Sequence, residues 1–327
     1  HRPVALVAVG GLVNPVFRRW LLRAVIAIPV AVFVVWACAD DAKLFLRTLL
    51  NGVTLASLYF VVASGFTLVF GLMRNVNLAH GSLFLLGAYI GWVVGDATGS
   101  WLVAVVAGFL VSALAGLLLQ VAVFRHMPGQ DLRQTMFTIG LSIVIADLLL
   151  WGFGGEIYQF DPPGIIFGRT PMPFIKAYPT YRLVMLATAI VIGVLLWWFL
   201  NRTRVGMMIR AGVDDRAMLA AAGTNVQMVF AITFAIGAGL AGFGGVVGGT
   251  ALSIAPGEDT RYLLASLEVV IVGGMGSIPG AALGALLIGL AEQFGLAYAP
   301  TYGVVFTFVI MVLVLAFRPQ GLMGKRG

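Results

Sequence analysis

One cysteine and three histidines are all that 327 residues supply of the usual soft metal ligands. A lone Cys38 excludes a disulfide within the chain, and His1, His80 and His126 lack metal-ligand spacing. Charge is equally sparse: only 10% of residues are Asp, Glu, Lys or Arg, against 61% hydrophobic, and the mean hydropathy is +1.03. A soluble domain of this size needs more polar surface than that. No Gly-Lys-Ser or Gly-Lys-Thr follows any glycine run, so the chain has no phosphate loop of its own. The first apolar stretch, Pro3 to Val13, is short and lacks a small-residue cleavage site, so it does not read as a cleavable signal. The net charge of +7 would suggest nucleic acid in a soluble protein. In an apolar chain it reads instead as the basic bias of loops on one membrane face, with lipid and not nucleic acid as the partner.

What the sequence has in abundance is apolar runs long enough to cross a bilayer as helices. Ten can be drawn: Ala24–Ala39, Thr48–Met73, Leu78–Gly95, Trp101–Phe124, Met136–Phe153, Leu183–Leu200, Met228–Ala251, Tyr262–Val272, Ile278–Ala297 and Tyr302–Phe317. The eighth has only 11 residues and reads as re-entrant or incomplete. The second and third meet at Arg74-Asn75-Val76-Asn77. The fold class is therefore all-α, a polytopic helical membrane protein of eight to ten spans, with ten preferred. Residues 24–318 form one transmembrane domain, preceded by an interfacial segment, 1–23, and followed by a tail, 319–327. With the N-terminus inside, twelve Lys and Arg, including Arg125, Arg133, Arg210 and Lys325, fall on the inner face. Six (Lys43, Arg47, Arg169, Lys176, Arg182 and Arg261) fall on the other, which predicts both termini in the cytoplasm.

Glycine, at 42 copies, concentrates in Gly237–Gly245 and Gly273–Gly276 and reads as small faces for close helix approach. Three carboxylates lie inside apolar segments, and each is costly there. Asp147 and Glu268 are candidates for the translocation path; Glu292, near a span end, reads as structural. Asn77 and His80, between the second and third segments, join them as groups that bridge a broken helix or face the path. The loop Gly154–Tyr181 is too rich in proline for regular helix. It is open to two readings, a lid or docking surface and a plain interfacial loop. The most specific stretch is the polar insert 201–227. Asp214 and Asp215 suit the start of a short helix through Ala222, ended by Gly223.

These residues resemble a known family. NGVTLASLYFVVASGFTLVFGLMRNVNLAHGSLFLLGAYI, RAGVDDRAMLAAAGTNVQMVFAITFAIGAGLAGFGGVV, VIVGGMGSIPGAALGALLIGLAE and FRPQGLMGK are similar to blocks of the membrane permeases of branched-chain amino acid ABC importers. The likeness is closer to the H-type than to the M-type permease. It implies a non-catalytic subunit with the importer fold of vitamin B12 permeases, in the bacterial inner membrane. It implies as partners a second permease, two ATP-binding cassette subunits, which hold the ATP and Mg, and a periplasmic substrate-binding protein. By the same resemblance Arg210, Asp214, Asp215, Arg216, Ala220, Ala221 and Gly223 belong to a coupling helix. The cargo is open among branched-chain and other amino acids, urea, amides and aromatic acids. An ion-coupled secondary transporter is the other class the residues allow, through Asp147 and Glu268. An intramembrane enzyme would need a catalytic pair that does not appear.

Overall fold

In the computed structural model the described residues are 15–73, 75–172, 175, 177–214 and 216–324. Lys176, Asp215 and Lys325 lie outside them, as does most of the 1–23 segment; the side chains of Asp214 and Arg216 lie outside them too. The chain divides into two units, 1–47 and 48–327. The helices are α1 (Pro15–Phe66), α2 (His80–Thr98), α3 (Trp101–Ala122), α4 (Asp131–Phe153), α5 (Thr180–Arg202), α6 (Arg204–Asp214), α7 (Arg216–Ala221), α8 (Val226–Ala251), α9 (Glu258–Gly273), α10 (Ile278–Tyr298) and α11 (Gly303–Phe317). The only sheet among the described residues is a two-residue antiparallel pairing, Arg169 opposite Pro179 and Thr170 opposite Tyr178, so the all-α reading stands.

Seven of the ten apolar segments are helices long and apolar enough to cross a membrane. The other three differ for separate reasons. The first runs into the second within α1, where Asp41 alone is non-helical (φ −148°, ψ 96°). The Asp41 carboxylate accepts the Lys43 and Leu44 amides at 2.9 and 3.1 Å, so it caps the helix that follows. What the sequence reads as a loop at Asp40–Arg47 is thus a capped kink. The eighth segment is α9, 16 residues rather than 11, started by Gly257 at φ 89°. It packs among α2, α10 and α11, and Gly274 at φ 104° ends it. The tenth, α11, is a short apolar helix.

At the centre of the second unit α2, α3 and α8 cross with their backbones nearly touching. A methyl group at Gly242 would overlap the Gly108 carbonyl and Ser112 Oγ, and one at Gly87 would overlap Gly242 Cα. The Ser112 hydroxyl donates to the Leu83 carbonyl at 2.9 Å, tying α3 to α2 at the same level. In a membrane there is no hydrophobic drive between helices, so such contact supplies the attraction. A second junction lies at Gly273–Gly276, where Gly273 meets Gly280 and Gly71 meets Gly276. Leu322 and Met323 there donate backbone hydrogen bonds to the Val272 and Gly273 carbonyls, both at 2.9 Å, so the segment after α11 closes the end of α9.

Replacing Gly242 by Ala should lower the thermal stability of the purified chain, since overpacking of this kind costs ~1–3 kcal/mol. Gly140→Ala, on an exposed face of α4 with nothing within 4 Å, should leave the melting temperature unchanged or slightly raised. Equal melting temperatures for the two variants would contradict the three-helix contact.

Candidate functional site

The polar core of the chain is a break between two spans. α1 loosens into a π-helix over Thr67–Leu72, Asn75–Ala79 form no helix, and α2 starts at His80. π-Turns widen a helix and leave its hydrogen-bond ladder out of step. Asn75 and Asn77 then supply side chains that compete with helical bonding. Away from water, each amide freed by the break needs another acceptor. Side chains of α4 provide two: Gln134 Oε1 accepts the Val76 N–H and Thr138 Oγ1 the Leu78 N–H, both at 3.1 Å. Asn77 Oδ1 accepts the Ala79 N–H at 3.1 Å. Asn75 Nδ2 donates to Gln120 Oε1 of α3 at 3.4 Å. Gln134 is itself held by its donation to the Met127 carbonyl at 2.8 Å.

His80 is wholly buried and meets the Val62 carbonyl through Nε2 at 3.0 Å, with Phe66 edge-on at 5.2 Å. A carbonyl only accepts, so Nε2 carries the proton and Nδ1 is an acceptor. That Nδ1 and the Nδ2 of Asn77 are both buried with no hydrogen-bond partner. An unmade bond on each of two groups flanking one break is a standing energetic cost. The sequence marks Asn77 and His80 as groups that bridge a broken helix or face the path, and it gives no such notice of Gln120, Gln134 and Thr138, whose side chains accept at the break. Their signal was the recurrence of polar residues at Gln134, Thr138 and Ser142, four apart on one side of an apolar helix.

A second polar group gathers along α9. Arg261 pairs with Glu292 of α10 at 3.0 Å and with Glu258 at 3.3 Å, the two ion pairs among the described residues. Tyr59 donates to the other oxygen of Glu292 at 2.6 Å. Glu292 thus ties three helices together, in keeping with its structural reading. Glu268, two turns from Arg261 on α9, is buried with the Thr307 hydroxyl of α11 beside its carboxylate. Tyr262 stacks on Phe84 at 3.8 Å and joins this group to α2. Asp147 stands apart. It sits on the exposed side of α4 with Ile143 and Trp151, whereas Gln134 and Thr138 are turned toward α2. The structure therefore does not bring Asp147 together with Asn77, His80 and Glu268, all three of which are buried.

The polar insert folds as two helices, α6 and α7, and not as the single helix Asp214–Ala222. The longer piece lies upstream because Val205, Met208, Ile209 and Gly212 recur at helical spacing and turn inward, with Ile209 fully buried. That periodicity was present in the sequence. Arg210 points outward and donates to Asn201 Oδ1 at 2.8 Å. α7 ends as expected: Gly223 has φ 80°, its N–H bonds the Ala220 carbonyl at 3.0 Å, and the Thr224 N–H bonds the Leu219 carbonyl at 3.4 Å. This pair of bonds is a Schellman cap. Met218, Ala220, Ala221 and Gly223 are exposed around it.

The proline-rich loop is tied down at both ends. Tyr158 and Ile254 exchange backbone hydrogen bonds, and the Tyr178 hydroxyl donates to Asn51 Oδ1 at 3.0 Å. Between them Ile165 and Phe167 project into the open.

Comparison with known proteins bears on this arrangement directly. The family described as the permease component of branched-chain amino acid transport systems matches residues 48–315. The high-affinity branched-chain amino acid transport system permease protein BraD of Pseudomonas aeruginosa is 31% identical over 297 residues, covering 86% of this chain and 96% of that protein. LivH of Escherichia coli, of the same description, is 30% identical over 299 residues, with the same coverage of each. LivM of Escherichia coli is 27% identical over 296 residues, 83% of this chain and 68% of that protein. No solved structure matches the chain.

The break should depend on its borrowed acceptors. Gln134→Leu or Thr138→Val leaves a buried N–H unpaired and should cost ~1–3 kcal/mol, read as a lower melting temperature. Gln134→Glu keeps the acceptor for Val76 and, when protonated, a donor for the Met127 carbonyl, so at a pH low enough to protonate it this variant should cost less than Gln134→Leu. The reverse order would remove Gln134 from this role.

Proposed function

The chain belongs to the permease-component family of branched-chain amino acid transport systems, and on that premise we propose that it forms half of the membrane path of a binding-protein-dependent ABC importer. Its cargo is a branched-chain amino acid or a close relative. Two ATP-binding cassette subunits drive it from the cytoplasm, a second permease completes the path, and a periplasmic binding protein delivers the cargo through the inner membrane's outer face.

The observation that carries this reading is the hairpin α6–α7. A chain without a phosphate loop takes up the work of ATP hydrolysis only through contact with another protein. The hairpin is the described polar insert that has a buried anchor, Ile209, an exposed tip around Met218–Gly223, and a span directly attached at each end. Displacement of its tip would reach α5 and α8 at once. Small exposed side chains at Ala220, Ala221 and Gly223 leave room for a cleft to close around α7. Asp214, Asp215 and Arg216 are assigned to the same element on sequence alone.

Along the path the break between α1 and α2 is the part best suited to move. Its helical bonds are already given up, and Asn77 and His80 hold unused hydrogen-bonding capacity. Glu268, linked to α11 through Thr307, gates or links the helices beside it. Asp147 faces outward from α4, where this reading sets it against the space between the two permeases. That position relieves the cost of a carboxylate facing lipid. An ion-coupled carrier is less well supported, because α4 packs on α2 while Glu268 is engaged with α11, leaving no common ion site for the two carboxylates.

Orientation is tested by thiol labelling. In a Cys38→Ser background, cysteine at Arg210 should react from the cytoplasmic side only and cysteine at Asp161 from the periplasmic side only. Labelling of the Arg210 position from outside in intact cells would reverse the topology and end the coupling assignment. Coupling is tested by Ala221→Trp and Gly223→Trp in the reconstituted transporter. Both should insert and assemble while losing uptake and the stimulation of ATP hydrolysis by loaded binding protein. Gly223→Trp should carry the added strain of a bulky residue at positive φ. Normal uptake with normal stimulation in both variants would refute the role given to α7.

A further inference from the structure

A crevice of about 270 Å³ opens where α3 ends and α8 begins, beside the last residue of the polar insert. Gln120, Val121 and Arg125 line one side; Asn225, Gln227 and Met228 line the other. No carboxylate is among its lining residues. Arg125 belongs to neither of the two ion pairs found among the described residues. Its Nε donates to His126 Nε2 at 3.2 Å, and His126 Nδ1 meets the Ala122 carbonyl at 3.1 Å. The carbonyl requires a proton on Nδ1, which leaves Nε2 free to accept, so the imidazole steadies the guanidinium from one side only. Asn225 Oδ1 accepts the Met228 N–H at 3.1 Å and caps α8, which leaves its amide NH₂ as a donor. Gln227 is exposed at the rim. The crevice is thus a set of donors around one cation, with nothing negative to fill it.

Its surroundings are those of a bilayer boundary. α3 and α8 are both apolar spans, and the crevice lies where their apolar stretches stop. Val121 and Met228, on its lip, are 40% and 62% exposed. From Val121 an uninterrupted ridge of exposed leucines, Leu118, Leu114 and Leu110, runs up α3 at four-residue spacing. A free anion has no use for that ridge. An amphiphile with a phosphate at one end and hydrocarbon at the other fits both halves.

We propose that this crevice binds the headgroup phosphate of an anionic phospholipid in the leaflet on the insert's side, with an acyl chain along Leu118, Leu114 and Leu110. Arg125 supplies the charge-assisted hydrogen bonds, and Gln227 and Asn225 supply neutral ones. The position has a consequence for transport. Gln120, in the same crevice, accepts the Asn75 hydrogen bond at the broken helix, and Asn225 closes the polar insert. A lipid seated there touches both moving parts, so its occupancy tunes how tightly they are joined. The inference needs only the membrane placement of α3 and α8, not the coupling reading, and its test uses no nucleotide.

The test is lipid retention by the transporter, assembled with its co-expressed partner subunits and stripped in neutral detergent. Phosphatidylglycerol, phosphatidylcholine or inorganic phosphate is added back, and bound lipid is read by native mass spectrometry with the melting temperature alongside. Phosphatidylglycerol should be retained and should raise the melting temperature, while phosphatidylcholine and inorganic phosphate should do neither. Arg125→Gln should weaken retention about tenfold, the loss of one hydrogen bond to a charged group. Arg125→Lys should restore part of it, and Arg169→Gln, on the proline-rich loop, should change nothing. Should Arg125→Gln fail to assemble, Gln227→Leu carries the same test with a smaller loss. Equal retention by wild type and Arg125→Gln would overturn the proposal, and so would equal retention of the two lipids. Displacement of phosphatidylglycerol by inorganic phosphate would mark a free-anion site and overturn it equally.

Discussion

Every backbone N–H at membrane depth must find an acceptor inside the protein, and this requirement shapes the chain more than any other. A regular helix meets it without help. Where α1 gives way to α2 the helix stops short, and the debt passes to Gln134, Thr138 and Asn77. α4 is then no longer an interchangeable apolar rod. Its polar side must face the break, which turns Asp147 and the large apolar side chains of α4 outward. Two backbone amides thus fix which side of α4 faces the break.

The glycines serve the same end from the opposite direction. Because α2, α3 and α8 meet at Gly87, Gly108 and Gly242, their backbones approach closely enough for Ser112 to reach the Leu83 carbonyl. Larger residues would hold α2 and α3 apart and leave both the serine and the break without their neighbours. Around this centre lie the elements that depart from a regular span, namely the π-turn, the short α9 and the α6–α7 hairpin.

Charge is used sparingly and in one place at a time. The Arg261 cluster fastens α9 to α10 and, through Tyr59, to α1. Because Glu292 is satisfied by an arginine and a phenol together, its burial is tolerable. Among the described residues Arg125, Arg202, Arg204 and Arg210 belong to no ion pair.

Much of this was legible beforehand, and what was legible was local. Hydropathy determined the membrane class, seven of the spans and the all-α fold, because transfer of a 20-residue apolar segment into lipid depends on composition and length alone. The Gly223 cap was readable too, since a residue that must take positive φ names itself. Asn77 and His80 stood out because polar groups between apolar runs are costly wherever they lie. What only the tertiary structure decided was partnership. That Gln134 serves Val76 across 58 positions, that Thr307 lies beside Glu268, that Asp147 faces away and that Arg125 and Gln227 line one crevice all depend on helix rotation and register. Hydropathy hardly constrains rotation in a helix apolar on every side. The few polar and small residues that do constrain it act only through neighbours far away in sequence.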